Sequence, residues 1–361
     1  MATKLKVGVL GATGMVGQRF VSLLDEHPWF EVAAVAASPA SAGKRYGDAV
    51  AGRWTLPRPA PSATAKLTLS DASDVAKVAE QVDFVFCAVD MDKSAIAKLE
   101  EDYARAETPV VSNNSAHRGT PDVPMMIPEI NHDHAAVIEA QRRRLGSQRG
   151  FVTVKPNCSL QSYVPAIHPL RAFGPTRLAV CTYQAISGAG KTFESWPEMV
   201  DNVIPFIGGE EEKSEREPLK IWGALSDGRI VPASVPIISA QCLRVPVSDG
   251  HMAAASVAFE RRPSRDEILA AWREYQGRPQ ELGLPSAPRP FLRYFEEDNR
   301  PQTRLDRDAG DGQAICLGRL RPDALFDWRF VALSHNTVRG AAGGAVLTAE
   351  LLKADGWLAA K

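Results

Sequence analysis

Of the five cysteines in the chain (Cys87, Cys158, Cys181, Cys242 and Cys316), one is placed for chemistry. Cys158 lies in Val152-Thr153-Val154-Lys155-Pro156-Asn157-Cys158-Ser159-Leu160. That run reads as a short strand, a Pro-Asn break and the start of a helix. Unpaired N–H groups and the positive dipole end of a helix favour thiolate over thiol, so a lowered pKa is expected there. Thiolate is the form that attacks carbonyls and acyl phosphates. The plainer reading of a lone cysteine is a buried structural one. The five are widely spaced, odd in number and without a C-x-x-C pair, so neither a disulfide framework nor a metal site is expected.

Other residues stand where they can serve such a thiol. His251 follows the turn Ser248-Asp249-Gly250. Its imidazole titrates near neutral pH and is a candidate general base, unless it is simply a surface histidine. Gln184 ends an alternating strand, Arg177 to Gln184, and is expected to point toward the thiol. The strand leads into Ala185-Ile186-Ser187-Gly188-Ala189-Gly190-Lys191-Thr192, which reads two ways. One is a relaxed phosphate loop, with Ala185 at the first glycine, in an ATP- or GTP-using enzyme. No strand aspartate for magnesium follows it. The other is a glycine turn beside the substrate. Arg118 closes Asn113-Asn114-Ser115-Ala116-His117-Arg118 at a strand end, where its fork suits a phosphate or another oxyanion. Glu210 to Trp222 reads as a charged helix with its acids at the positive end, and by itself as a solvated face.

The elements that must position these residues begin at the N-terminus. Lys4 to Leu10 is an apolar strand and Gln18 to Glu26 a helix, with Gly11-Ala12-Thr13-Gly14-Met15-Val16-Gly17 between them. This G-x-x-G-x-x-G sets a tight turn, a close backbone approach to a pyrophosphate and a helix N-terminus to hold it. Gly11, Thr13, Gly14, Met15 and Val16 are therefore candidate cofactor residues. The second strand, Phe30 to Ala37, ends without the acid that binds an NAD ribose. Ser38, Ser41, Lys44 and Arg45 follow, which favours the 2′-phosphate of NADP. Val82 to Val89 and Pro109 to Ser112 read as further strands, with Ala88–Asp90 expected near the cofactor. Ser94 to Ala104 has helical spacing, and residues 140–149 read as a solvated helix end. Val235 to Val247, Met252 to Arg261 and Trp328 to Ser334 read as later strands, and residues 262–312 as helix and loop. His335 to Gly344 opens a last helix through Leu352, small enough to approach the cofactor closely.

The totals exclude several functions. Lys plus Arg is 42 and Asp plus Glu 43, so nothing asks for a nucleic-acid or anionic-membrane partner. No apolar run nears the roughly 20 residues of a spanning helix, and a cytoplasmic protein is expected.

Taken together, the chain resembles the aspartate-β-semialdehyde dehydrogenase family, in its archaeal and fungal-like branch. Gly11–Gly17, Ser112–Arg118 with Pro121–Glu129, Pro156–Ser159, Gln184–Gly190, Asp201–Lys220, Arg244–His251 and His335–Gly344 carry the resemblance, in the family's order. It implies reduction of L-aspartyl-4-phosphate by NADPH to the semialdehyde and phosphate, within lysine, methionine and threonine biosynthesis. It implies Cys158 as nucleophile, His251 as acid/base and Gln184 as the residue orienting the acyl group. Arg244 would pair with the substrate α-carboxylate and Glu210 with its α-ammonium. Arg118, Asn157 and Lys213 would hold phosphate. Ser187, Gly188 and Asn336 would lie near the nicotinamide. The fold expected is α/β, a Rossmann-like domain (1–156 and 337–361) joined to an α+β catalytic and dimerisation domain (157–336), as a homodimer or homotetramer. Three departures stand out. Leu160-Gln161-Ser162 replaces Thr-Thr-Gly or Thr-Ala-Gly, Lys191 to Trp196 replaces Tyr-Pro-Gly-Val-like residues, and Ala40 stands for an arginine of the 2′-phosphate loop. A sister reductase of an acyl-CoA such as malonyl-CoA or a semialdehyde dehydrogenase of a specialised pathway, neither of which needs Glu210, and a catalytically dead cofactor-binding scaffold are the remaining alternatives.

Overall fold

Val7, Val9, Phe84, Phe86 and Val110 are fully buried, and strands this apolar need cover on both faces. The computed structural model describes residues 3–361 and places them in a parallel sheet. β1 (Leu5–Leu10), β2 (Phe30–Ala37), β3 (Ser70–Asp71), β4 (Phe84–Cys87), β5 (Val110–Ser112) and β6 (Val152–Val154) lie in the order β3-β2-β1-β4-β5-β6. Every neighbouring pair is parallel. The strand order reverses between β1 and β4, which opens a crevice at their carboxyl ends. Helix α1 (Met15–Leu23) starts there. Gly11 makes the turn possible: its φ is +79°, and a Cβ would lie 2.3 Å from the carbonyl oxygen of Ala88. Helix α2 (Lys93–Arg105) follows β4.

A second sheet begins after α3 (Leu160–Ile167). Its strands are β7 (Pro175–Gln184), then, past the hairpin β8 (Ala224–Ser226) and β9 (Arg229–Val231), β10 (Ile237–Arg244), β11 (His251–Phe259), β12 (Leu292–Phe295), β13 (Ile315–Pro322) and β14 (Trp328–Ser334). The order is β10-β7-β11-β14-β13-β12, with parallel and antiparallel pairs mixed. Every residue of α3 is buried. Leu160, Tyr163, Val164 and Ile167 share one core with Leu178, Val180, Ala253 and Phe330 of the sheet. The opposite face of the sheet, with Ala179, Cys181, Gln241, Ala254 and Arg329, lines a basin of about 700 Å³.

Helix α4 (Glu210–Ile221) runs along β10, the edge strand. Glu215 accepts from the Ala240 N–H at 3.1 Å and Glu211 from the Cys242 N–H at 3.2 Å. Side chains of the helix thus satisfy donors that an open edge would offer to another strand. After α5 (Arg265–Glu274) and the last strands, α6 (Gly343–Ala354) returns to the first sheet. Ala345, Val346, Leu347 and Leu351 bury in one core with Val7, Val9 and Phe20.

Most expected elements form within a few residues of their expected bounds. β12 does not follow the expectation: it lies inside 262–312, read as helix and loop. Four residues between Pro-Arg segments carry little local signal, and the strand exists through its parallel pairing with β13. Among the described residues, no helix is long and apolar enough to cross a membrane.

Candidate active site

Strand direction gathers the site. β7 and β10 are parallel, so they end together, with Gln184 and Arg244 as register partners. β11 is antiparallel to β7 and begins at the same edge. There His251 faces Ser334, the last residue of β14. β6, at the end of the first sheet, feeds Lys155 to Cys158 into the same place. Cys158, Gln184, Arg244, His251 and Asn336 therefore meet, although they come from five segments.

Sγ of Cys158 lies 3.4 Å from Nε2 of His251. The ring is fully buried, and its Nδ1 accepts from the Ala185 N–H at 3.0 Å. An Nδ1 that accepts carries no proton, so the neutral ring holds its proton on Nε2, facing the sulfur. Burial, then the charge of Arg244, pushes His251 well below the ordinary histidine range. The expected lowering of the thiol pKa is not found. Cys158 stands ahead of α3, and the Ser159 N–H is taken by Oδ1 of Asn157 at 2.8 Å. Burial, then Glu210, pushes the thiol above its ordinary value, against the smaller opposing pull of Lys155, Arg118 and Arg244.

Glu210 is buried, not solvated. Its carboxylate accepts from Asn157 Nδ2 at 2.9 and 3.0 Å, from Lys213 Nζ at 2.8 Å and from Gln184 Nε2 at 3.2 Å. Gln184 thus points its amide at Glu210 instead of at the thiol. Burial alone would raise the Glu210 carboxyl, but Lys213, Asn157 and Gln184 outweigh it and hold it below its ordinary value. Arg244 donates to Ala185 O at 2.7 Å, its one side-chain hydrogen bond among the described residues, which leaves most of the fork for a ligand. Arg118 is engaged through all three of its nitrogens. It bonds Glu217 at 3.1 Å, Lys155 O at 3.0 Å and Asn113 O at 3.3 Å.

The glycine turn packs against this cluster. A Cβ on Gly188 would come within 2.9 Å of Arg244 Nη1 and 3.0 Å of the His251 ring. Asn336 donates to Ser187 Oγ at 2.8 Å and accepts from the Gly250 N–H at 2.8 Å, which fixes its amide. The phosphate-loop reading fails on shape. A 3-10 turn, Ile186–Ala189, precedes Lys191, and no helix starts at Lys191 and Thr192 to present N–H groups to a phosphate.

A cavity of about 390 Å³ lies at the crevice, lined by Gly11, Thr13, Gly14, Ser38, Asp71 and Asp90 among others. Bare glycine backbone and a helix N-terminus fit a dinucleotide pyrophosphate. Met15 and Val16 open α1 beside it. Ser41 and Lys44 do not line this cavity. The loop there is zipped to Leu69 through the Gly43 N–H and Lys44 O, and Lys44 is exposed. An acid from β3, Asp71, also lines the cavity, held by the Ser73 N–H at 2.9 Å and its hydroxyl at 2.7 Å.

Sequence reasoning missed Lys155, Glu217 and Gly340. Lys155 is a buried lysine ending an apolar strand, and burial pushes its ammonium down to about 7. Glu217 accepts from the Asn157 N–H at 2.7 Å, and its signal was the helical spacing Glu210, Lys213, Glu217. A Cβ on Gly340 would lie 2.9 Å from Cβ of Cys158. Gln161, one of the departures after the cysteine, accepts from Arg339 Nε at 3.0 Å. Arg339 and Glu129 form a fully buried pair at 2.5 Å, so Gln161 is part of the packing that holds Gly340 in place.

Known proteins resemble this chain over nearly its whole length. A model described as the semialdehyde dehydrogenase NAD binding domain matches residues 6–138, and one described as the dimerisation domain matches residues 167–339. The chain is 43% identical to an aspartate-semialdehyde dehydrogenase of Aspergillus fumigatus, over 98% of this chain and 99% of that one. It is 44% identical to one of Methanothermobacter thermautotrophicus, over 96% and 99%. The crystal structure of the Candida albicans aspartate semialdehyde dehydrogenase with NADP superposes with a TM-score of 0.88 at 37% identity, covering 99% of this chain and 100% of that one. The chain belongs to the aspartate-semialdehyde dehydrogenase family.

Proposed function

We propose that this member of the family reduces L-aspartyl-4-phosphate to L-aspartate-4-semialdehyde and phosphate, with NADPH as reductant and a thioester on Cys158. The observation that carries the reading is the pairing of Cys158 with His251 at 3.4 Å near a buried carboxylate, Glu210, and a largely free guanidinium, Arg244. A carboxylate and a guanidinium near a nucleophile match the ammonium and carboxylate of an amino acid. An acyl-CoA needs no such carboxylate.

Cys158, once ionised, attacks the acyl carbon, and the C–O bond to phosphate breaks. The departing phosphate takes up the proton that the overall reaction consumes. The nicotinamide cofactor supplies a hydride to the thioester carbonyl. Collapse of the thiohemiacetal oxyanion then breaks the C–S bond and returns thiolate. His251 donates from Nε2 to the oxyanion or to the sulfur throughout, which is oxyanion stabilisation by a fixed donor. Its resting tautomer makes it a donor before it is a base. Gln184 and Asn157 hold Glu210 in place for the ammonium, and Arg244 takes the α-carboxylate.

NADP is the cofactor of this reading. Gly11, Thr13, Gly14, Met15 and Val16 would line the pyrophosphate and Ser38 the 2′-phosphate side, with Ser187, Gly188 and Asn336 toward the nicotinamide. We divide the chain into an NADP-binding part (1–156 with 337–361) and a catalytic and dimerisation part (157–336). The shared core of α6 with β1 supports that division. We assign a homodimer through the open sheet face, alone or doubled into a tetramer; the dimerisation-domain match supports self-association, and light scattering distinguishes the two. Five unpaired cysteines support a reducing, cytosolic location.

The test is phosphate-dependent reduction of NADP⁺ by L-aspartate-β-semialdehyde, with NAD⁺ alongside. Turnover that needs phosphate, prefers NADP⁺ and disappears in Cys158→Ser supports the reading. No turnover, with activity on malonyl-CoA and NADPH, overturns it.

A further inference from the structure

Lys213 occupies the position that a substrate ammonium would take on Glu210. Its Nζ lies 2.8 Å from Oε1, three residues along the same helix face. The other donors to that carboxylate are anchored. Gln184 is buried and also bonds the Thr182 hydroxyl at 3.2 Å. Asn157 is buried, and its Oδ1 accepts from the Ser159 N–H and hydroxyl at 2.8 and 2.7 Å. Lys213 is different. Its side chain is 36% exposed, and it makes no other side-chain hydrogen bond among the described residues. Of the donors around Glu210, it is the one free to leave.

Resting on the function proposed above, we infer that the substrate's own ammonium releases Lys213 from Glu210 and so delivers it to the phosphate. Two ammonium groups at hydrogen-bond distance from one carboxylate repel each other, and the mobile one moves. The new anion in the cleft is the substrate's phosphate. Arg118 is poorly placed to neutralise it alone, since Glu217 already pairs with that guanidinium at 3.1 Å. The released Lys213 supplies the missing charge. Amino-group occupancy and phosphate affinity are then linked, each strengthening the other. An acyl donor without the amino group leaves Lys213 on Glu210 and its phosphate poorly held. The site thereby discriminates at the phosphate against a group missing at the other end of the substrate.

The experiment measures the phosphate KM of the full-length protein in the oxidative direction, at saturating NADP⁺. With wild type, the phosphate KM should be about tenfold higher for succinic semialdehyde than for L-aspartate-β-semialdehyde, a usual size for such coupling. In Lys213→Met the difference should vanish. Glu210→Gln should lower the phosphate KM by freeing Lys213, and this gain should be lost when Lys213→Met is added. Protection of Cys158 from iodoacetamide by inorganic phosphate, with L-aspartate or succinate present, makes the same comparison without turnover. A wild-type phosphate affinity indifferent to the amino group, or an equal gain from Glu210→Gln in both backgrounds, would overturn the inference. Absence of wild-type turnover with L-aspartate-β-semialdehyde would instead overturn the proposed function.

Discussion

The Ala185 N–H donates to Nδ1 of His251 at 3.0 Å, and this one bond decides where the ring carries its proton. With the proton on Nε2, the ring serves Cys158 as a donor. A glutamine amide can imitate an Nε2–H donor but not an imidazole base. His251→Ala should therefore lower kcat by about a hundredfold or more. His251→Gln should recover a measurable part of it. Equal losses in steady-state assays of both variants would show that the ring acts as a base.

The Cys158 thiol is held up by burial and by Glu210. In the ligand-free protein, its alkylation by iodoacetamide should still accelerate with pH beyond the ordinary thiol range. Glu210→Gln removes the charge opposing thiolate and should move the whole curve to lower pH. A rate already level at neutral pH would mean that thiolate is present at rest.

Gly340 leaves no room for a side chain beside the nucleophile. Gly340→Ala should displace Cys158 by a fraction of an ångström and cost about a hundredfold in kcat, the penalty for a misplaced reacting group. Thermal unfolding should show the variant folded. Unchanged kcat in a folded variant would show that the contact does not position the sulfur.

Buried neutral histidines make the fold sensitive to acid. His335 is pushed down to about 4, chiefly by burial, and His251 lies well below its ordinary value. Between about 4 and 6.5 the unfolded chain binds more protons than the folded one. Stability from these groups is fully present above 6.5 and falls as pH drops through that window, by about 1.4 kcal/mol per pH unit for each histidine. Glu210, with its lowered carboxyl, adds a loss only below the ordinary glutamate value. Urea midpoints from pH 7 to 4 should fall accordingly, and a flat profile would contradict the burial of these rings.

Much of the site was legible in the sequence, because it stands where strands end. Cys158, Gln184, Arg244 and His251 each sit at a break marked by proline or glycine, and breaks at strand ends are read locally. Glu210 and Lys213 were not legible from their own segment. A charge run looks solvated until something packs on it, and what packs on Glu210 is Asn157, 53 residues away. The thiol pKa went astray for a similar reason. The local helix argued for thiolate, while the distant Glu210 and the depth of the cleft argue against it. β12 was missed because only its partner strand makes it one.

Helix α4 has two duties that its sequence cannot separate. Glu211 and Glu215 close the edge of β10, while Glu210, Lys213 and Glu217 turn another side toward Asn157. A one-residue slip or insertion in that helix would unseat both sets together. On the function proposed here, protection of the sheet edge and substrate choice are therefore inherited as one trait. A lineage drifting toward a new acyl donor must change single side chains on α4 and leave its register alone.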